Sequence, residues 1–162
     1  MEPSRIRLAT VDDLEPLLEM MEGFNAFERI PWTRAAGSEP LRTLLGDVSL
    51  GIVGIAEADT RPLGYFVVTW NYDLEWNGRD AFLTELFLVP EARDRGLGRT
   101  LLAEAERLAV VHGAHALHLM VRPENERAHA LYRSAGYVSP PRIFLTKVFS
   151  PGSGSPARAA LE

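Results

Sequence analysis

Two glycines one residue apart, Gly96 and Gly98, stand between an apolar run and a helix-patterned run, with Arg93, Arg95 and Arg99 gathered around them. That grouping has a chemical use. The first N–H groups of a helix have no partner inside it, and the helix dipole favours negative charge there. A residue without Cβ lets a phosphate approach the backbone closely, and the arginines add charge at the same point. No Lys-Ser or Lys-Thr pair follows, so the loop is not a P-loop, and its spacing is not Gly-x-Gly-x-x-Gly. An ordinary strand-to-helix turn is the bland reading of a glycine pair; strand, basic loop and long helix together favour phosphate binding.

A second chemical signal is Glu85, a carboxylate in the middle of the otherwise apolar run Ala81 to Val89. Such a charge is costly unless it faces a cleft or has a partner. It is either a group exposed to substrate or one half of a structural pair with an arginine. Asp73, Glu75, Asp80 and Glu85 also cluster beside Trp70, Tyr72 and Trp76. An acidic, aromatic-lined pocket of that kind suits a cationic amine, a polyamine, an amino sugar or a peptide amine; a solvated acidic loop is the alternative.

The elements that hold these residues are legible from periodicity. Ala81 to Val89 is a buried strand stopped by Pro90, and the run from Arg99 to His112 carries the apolar spacing of a helix at Leu101, Ala105, Leu108 and Ala109. Upstream, Arg5 to Leu8 reads as a short strand, and Thr10 to Asp13 as a capping box opening a helix through Phe24. Ser38-Glu39-Pro40 predicts the start of a second helix that Gly46 ends. Ser49 to Glu57 and Leu63 to Tyr72 read as strands joined by a turn. Downstream, Ala116 to Val121 predicts a strand parallel to the central one, which requires a right-handed crossover. A helix from Asn125 to about Ala135 follows, with Gly136 as its C-cap, and Tyr137 to Ser139 with Ile143 to Phe149 predicts a closing antiparallel pair. The expected organisation is one domain over 1–149, a tail over 150–162 without pattern, and final residues Leu161-Glu162 that resemble a cloning scar.

Arg93-Asp94-Arg95-Gly96-Leu97-Gly98 resembles the Arg/Gln-x-x-Gly-x-Gly/Ala motif of the GCN5-related N-acetyltransferases (GNAT superfamily). Leu88-Val89-Pro90-Glu91 is similar to the strand end that precedes that motif, and Asn125 to Tyr137 to the family's Asn, Leu-Tyr and Gly-Tyr/Phe segment. Order and spacing agree from about Leu63 to Phe149. The resemblance implies an α/β (α+β) GNAT fold: a mixed central sheet of six to seven strands with about four helices, antiparallel N-terminal strands, and a parallel strand-helix-strand coenzyme site. It implies an N-acetyltransferase that moves an acetyl group from acetyl-coenzyme A to a primary amine of a small molecule or peptide by direct attack in a ternary complex. The alternative is a catalytically silent acyl-coenzyme A-binding sensor of the same fold; a nucleotide-binding α/β protein is disfavoured by the antiparallel strands and the missing P-loop lysine.

By the same resemblance, the coenzyme pyrophosphate lies on Asp94, Arg95, Gly96, Leu97, Gly98, Arg99 and Thr100, its pantetheine arm pairs with backbone at Phe87, Leu88 and Val89, and Asn125 contacts that arm. Tyr132, seven residues after Asn125, is the expected acid for the leaving thiolate, or else a core aromatic. Phe27 and Trp32, with Phe24 and Glu28, follow the first helix into the expected acceptor pocket, joined by Tyr72, Asp73 and Glu85. Many family members carry a base five residues before the Asn. Here that residue is Met120, so Glu85 is the favoured base and His118 a distant alternative.

Composition narrows the rest. A net charge of −5 argues against general nucleic-acid binding. With no cysteine, thiolate chemistry and cysteine metal sites are excluded, and four histidines without paired spacing predict no metal. No spanning apolar stretch or signal peptide is read, so a cytoplasmic location without membrane association is expected. The resemblance adds the expectation of a homodimer.

Overall fold

The run Tyr65-Phe66-Val67-Val68 alternates in a way that fixes the layers of the molecule. In the computed structural model, which describes residues 4–149, Tyr65 and Val67 pack into one apolar cluster with Leu14, Leu17, Leu18 and Leu41. Phe66 and Val68 pack into another with Leu97, Leu101, Leu102 and Ala105. Successive side chains of a strand point to opposite faces, so a single strand separates two cores, one under each helical layer. The readings of 150–162 as a tail and of Leu161-Glu162 as a scar lie outside the described residues.

The elements run β1 (Arg5–Leu8), α1 (Leu14–Glu28), α2 (Arg34–Gly46), β2 (Gly51–Ala58), β3 (Arg61–Asp73), β4 (Gly78–Leu88), α3 (Leu97–Val111), β5 (Leu117–Leu119) and α4 (Glu126–Ser134), with short 3-10 turns at Val11–Asp13, Leu74–Trp76 and Pro90–Ala92. The sheet order is β1-β2-β3-β4-β5. The first four strands are antiparallel, and β4 pairs with β5 in parallel. The mixed sheet and four α-helices agree with expectation, but the described residues form five strands, not six to seven. Tyr137–Ser139 and Ile143–Phe149 do not join the sheet. Ile143, Leu145 and Phe149 are 87%, 87% and 80% exposed, so they find no apolar face to pack on, and Pro140-Pro141 supply no backbone donors.

The second helix also begins earlier than expected. Thr33, not Ser38, caps it, accepting a bond from the Ala36 N–H at 3.2 Å, and Pro40 lies inside. Trp32 holds the extra turn: a Cβ on Gly37 would lie 2.2 Å from its ring. That contact outweighs the preference of proline for a first turn. The expected capping box is present, with the Asp13 carboxylate accepting from the Thr10 N–H at 2.8 Å. Asp13 also takes two bonds from Arg7, which reaches Glu57 of β2 as well. The guanidinium holds the Asp13 carboxyl below its usual range.

Two irregularities of β4 shape the site. Val67 pairs with Glu85 but Val68 with Leu83, so Thr84 is an extra residue, a β-bulge. Leu83 therefore packs on the α3 side and Phe87 on the α1 side, although strict alternation would give them one face. Beyond Leu83, moreover, β4 has no partner in β5, because the parallel pairing stops at Leu119. The two strands part there and leave a cleft.

Candidate active site

The parted strands set Thr84 to Leu88 on one wall and Met120 to Arg122 on the other, in a cleft of about 1100 Å³. Small-ligand pockets commonly run to roughly 300–1,000 Å³, so this one admits a long, branched ligand. The end of α1 closes one side through Phe24, Asn25, Phe27 and Glu28, while the loop before α3 and the start of α4 close the other through Gly96, Gly98, Asn125 and Tyr132.

The loop has the geometry that its sequence predicts. Asp94 and Gly96 have φ of 61° and 80°, and Gly96 is the N-cap residue of α3, so the chain turns sharply into the helix. The first-turn N–H groups of Leu97 and Gly98 have no partner within the helix. Gly98 faces Leu88 and Leu131, whose side chains would lie 3.5 and 3.9 Å from a Cβ placed there. Asp94 pairs with Arg127 of α4 at 2.7 Å, and Arg99 donates to the Ser134 hydroxyl at 2.9 Å, so arginines tie this loop and helix start to α4.

The strand backbone is more selective than expected. The Val89 N–H already donates to the Leu63 carbonyl at 3.0 Å. Alternation along an antiparallel pair then turns Phe87 toward β3 as well and leaves Leu88 facing the cleft. Of Phe87, Leu88 and Val89, only Leu88 directs its backbone groups into the cleft, and its carbonyl accepts a bond from Arg93 Nε at 3.0 Å. The Arg93 guanidinium lies over the Phe27 and Phe87 rings.

Glu85 lines the cleft and pairs with no arginine. Its one hydrogen-bond partner among the described residues is the Tyr65 phenol, which donates to Oε2 at 2.5 Å. Burial pushes the Glu85 carboxyl above its usual range, with the Tyr65 bond opposing. Tyr132 also lines the cleft; burial, then the nearby charge of Glu28, lifts its phenol to about 12. Asn125 caps α4 through Oδ1, accepting from the Ala128 N–H at 3.1 Å.

Other candidates lie elsewhere. Trp32 packs over Gly37, Tyr72 is 73% exposed, and Asp73 caps a turn by accepting from the Glu75 N–H at 2.9 Å. None of the three lines the cleft. Arg95, Leu97 and Thr100 are in the loop or the first turn of α3 but do not line it either. The acidic cluster is dispersed: Glu75 pairs with Arg142, and Asp80, 1% exposed, lies 3.1 Å from His118 Nε2 and takes a bond from Asn71. His118 is thus held away from the cleft, whereas Met120 lines it. No group of three or more side chains able to hold a metal occurs among the described residues. No described helix is long and apolar enough to cross a membrane.

Sequence reasoning passed over Arg122, which lies in the cleft and binds Glu28, Glu124 and the Phe27 carbonyl. Its signal was faint: an arginine at a strand end reads as surface. Tyr65 was equally hidden, since an aromatic within an apolar strand reads as core.

Comparison with known proteins gives a consistent answer. The model of the acetyltransferase (GNAT) family matches residues 17–137. A thialysine N-epsilon-acetyltransferase of Bos taurus is 31% identical over 74 residues, 46% of this chain and 43% of that protein, so the match spans less than half of that relative. Its counterpart from Mus musculus is 25% identical over 145 residues, 84% of this chain and 85% of the relative. Among solved structures, an integron cassette protein from a salt-marsh metagenome superposes with a TM-score of 0.81 at 25% identity, covering 91% of both chains. Aminoglycoside N-acetyltransferase AAC(6')-Iy, solved in complex with CoA, gives 0.78 at 19% identity, covering 90% of this chain and 95% of that one. At that identity the likeness is one of fold.

Proposed function

The chain belongs to the GNAT acetyltransferase family and is an acyltransferase, and from that premise we propose that it moves an acetyl group from acetyl-coenzyme A to a primary amine of a small molecule or peptide, by direct attack in a ternary complex. One observation carries the reading: a raised carboxylate, Glu85, and a protonated phenol, Tyr132, share one cleft with the glycine loop.

Bound acetyl-coenzyme A supplies a thioester-activated acetyl group and a thiolate leaving group. The residues from Asp94 to Thr100 hold its pyrophosphate through first-turn N–H groups and arginine charge. Leu88, with backbone turned to the cleft, pairs with the amide-rich arm, beside Asn125. The Leu88 N–H is the donor for the carbonyl oxygen as charge develops there. Glu85 takes a proton from the acceptor ammonium, through water, so that the nitrogen lone pair attacks the acetyl carbon. The carbon–sulfur bond then breaks, Tyr132 gives its proton to the sulfur, and the second proton lost by the nitrogen restores the Tyr132 phenol through solvent. Phe27, Phe24 and Glu28 bound the acceptor side. The acceptor carries a primary amine that is cationic in solution, a reading supported by Glu28 and Glu85 in the cleft and by relatives named for the epsilon amine of thialysine.

A second reading, a silent acyl-coenzyme A sensor, is favoured by one observation: Met120 lines the cleft where many family members carry the base. Incubation with acetyl-coenzyme A and a panel of amines separates the two. Thiol release matched by an acetyl mass gain on one amine establishes transfer; tight coenzyme binding without turnover on any amine establishes the sensor. We propose further that residues 1–149 act as one domain and that the chain works in the cytoplasm as a homodimer. The exposed Ile143, Leu145 and Phe149 support the pairing, and light scattering at about 18 kDa, the mass of one chain, would count against it.

A further inference from the structure

We infer that Tyr65 is the positioning residue of the reaction: its phenol grips one oxygen of Glu85 and leaves the other free to take the acceptor's proton. This rests on the assignment of Glu85 as base. Tyr65 is fully buried on β3, directly behind the cleft, with its ring near that of Phe87 in the α1-side core. It stands one residue-pair from Glu85: Tyr65 pairs with Phe87, and Val67 with Glu85. The bulge at Thr84 is what brings the two together, because unbroken alternation through Thr84 would turn Glu85 to the α3 side with Leu83. The Oη–Oε2 distance is 2.5 Å, in the range of charge-assisted O–H···O⁻ bonds.

A buried hydroxyl aimed at a carboxylate has two effects. It fixes one rotamer of a flexible side chain, which removes the cost of orienting the base at each turnover. It also stabilises the ionised form, against the burial that disfavours it. The phenol keeps its own proton throughout: burial and the Glu85 charge raise it well above the usual tyrosine value. The proton balance is therefore simple. Glu85 Oε1 receives the first proton to leave the acceptor ammonium, the second returns to Tyr132 after it has protonated the sulfur, and Tyr65 donates to Oε2 before and after. The other titratable or charged groups around the cleft are Glu28 and Arg29 at the end of α1, Arg93 and Asp94 after β4, Arg99 of α3, Arg122 and Glu124 after β5, and Glu126, Arg127 and Tyr132 of α4. None of them bonds to Glu85.

The test compares wild type with Tyr65→Phe, reading the Glu85 carboxyl by carbon-13 NMR across pH and kcat/KM over the same range. Loss of a hydrogen bond to the ionised form should raise the Glu85 midpoint by about one pH unit. The acid limb of the rate profile should move up with it while donor KM stays constant. An unmoved midpoint in a folded variant overturns the inference, as does a moved midpoint with an unmoved rate limb. Should Tyr65→Phe fail to fold, the ring carbon-13 shift of Tyr65 in the wild type decides. It follows the Glu85 titration if the bond is as described, and a flat shift overturns it. Failure of the base assignment itself is read separately, in a Glu85→Gln rate defect that does not depend on pH.

Discussion

Arg122 reaches across the cleft to Glu28, a residue 94 positions earlier, with Nε 2.9 Å from the carboxylate oxygen. The same guanidinium donates to the Phe27 carbonyl at 3.0 Å and lies over the Phe27 ring. The end of α1, just before Arg29 turns left-handed at φ 58°, is thus fastened to the chain that follows β5. This clasp holds the proposed acceptor wall in place.

Arg122→Ala should release that wall. Three charge-assisted bonds, to Glu28, Glu124 and the Phe27 carbonyl, and a ring contact disappear, and loss of bonds to a charged group costs about 1.5–3 kcal/mol. The expected result is a lower denaturation midpoint, raised acceptor KM and unchanged donor KM. Equal changes in both KM values would show that the clasp supports the coenzyme side instead.

At Gly98 the space decides. A single Cβ meets Leu88 and Leu131 at ordinary contact distances, so Gly98→Ala should fold and bind acetyl-coenzyme A weakly or normally. Gly98→Trp fills the cleft and should abolish binding in a folded protein, as read by calorimetry. Unchanged affinity in that variant would remove the loop from the coenzyme site. At Gly96, with φ 80°, alanine should cost about 1–2 kcal/mol of stability from backbone strain alone.

The loop and the strand-helix-strand unit were legible because each rests on local signals, glycine spacing and 3.6-residue periodicity; Tyr132, singled out through the family's interval from Asn125, lines the cleft. The bulge at Thr84 was not legible. Period-two reading cannot see one inserted residue, so Tyr65 and Glu85 could not be matched from sequence. Arg122 and Glu28 meet only because the strands part, which is a fact of tertiary structure. The acidic cluster misled for a related reason: Asp73, Glu75 and Asp80 are near Glu85 in sequence, but the long β3–β4 ribbon carries them away to a turn, an ion pair and a pairing with His118. The closing strands failed for want of a surface to cover.

Glu85 also predicts a trade between activity and stability. Its folded-state pKa is raised, so the folded protein holds the proton more tightly than the unfolded chain. The resulting stability is present below the unfolded value and is lost as pH rises through the folded one. Glu85→Gln keeps an acceptor for Tyr65 and removes the buried charge. It should therefore unfold at higher denaturant than wild type at neutral pH, with the gap closing in acid. A destabilised Glu85→Gln at neutral pH would mean that the carboxylate is stabilised by its surroundings.

Tyr132→Phe should behave differently from any binding variant. With the phenol held at about 12, Tyr132 is fully protonated at neutral pH and available as a donor. Removing that proton should lower kcat by about 10²–10⁴-fold, the usual contribution of a general acid, with little change in donor KM. A loss under threefold would assign Tyr132 to packing against Tyr137.

The most direct test is the rate of Glu85→Gln against pH with acetyl-coenzyme A and a productive amine. At low pH the amine is protonated and depends on a base; at high pH free amine is abundant. The account predicts a large defect at low pH that shrinks as pH rises. A defect of constant size across the range, accompanied by weakened acceptor binding, would contradict it and make Glu85 a recognition site for a cationic substrate.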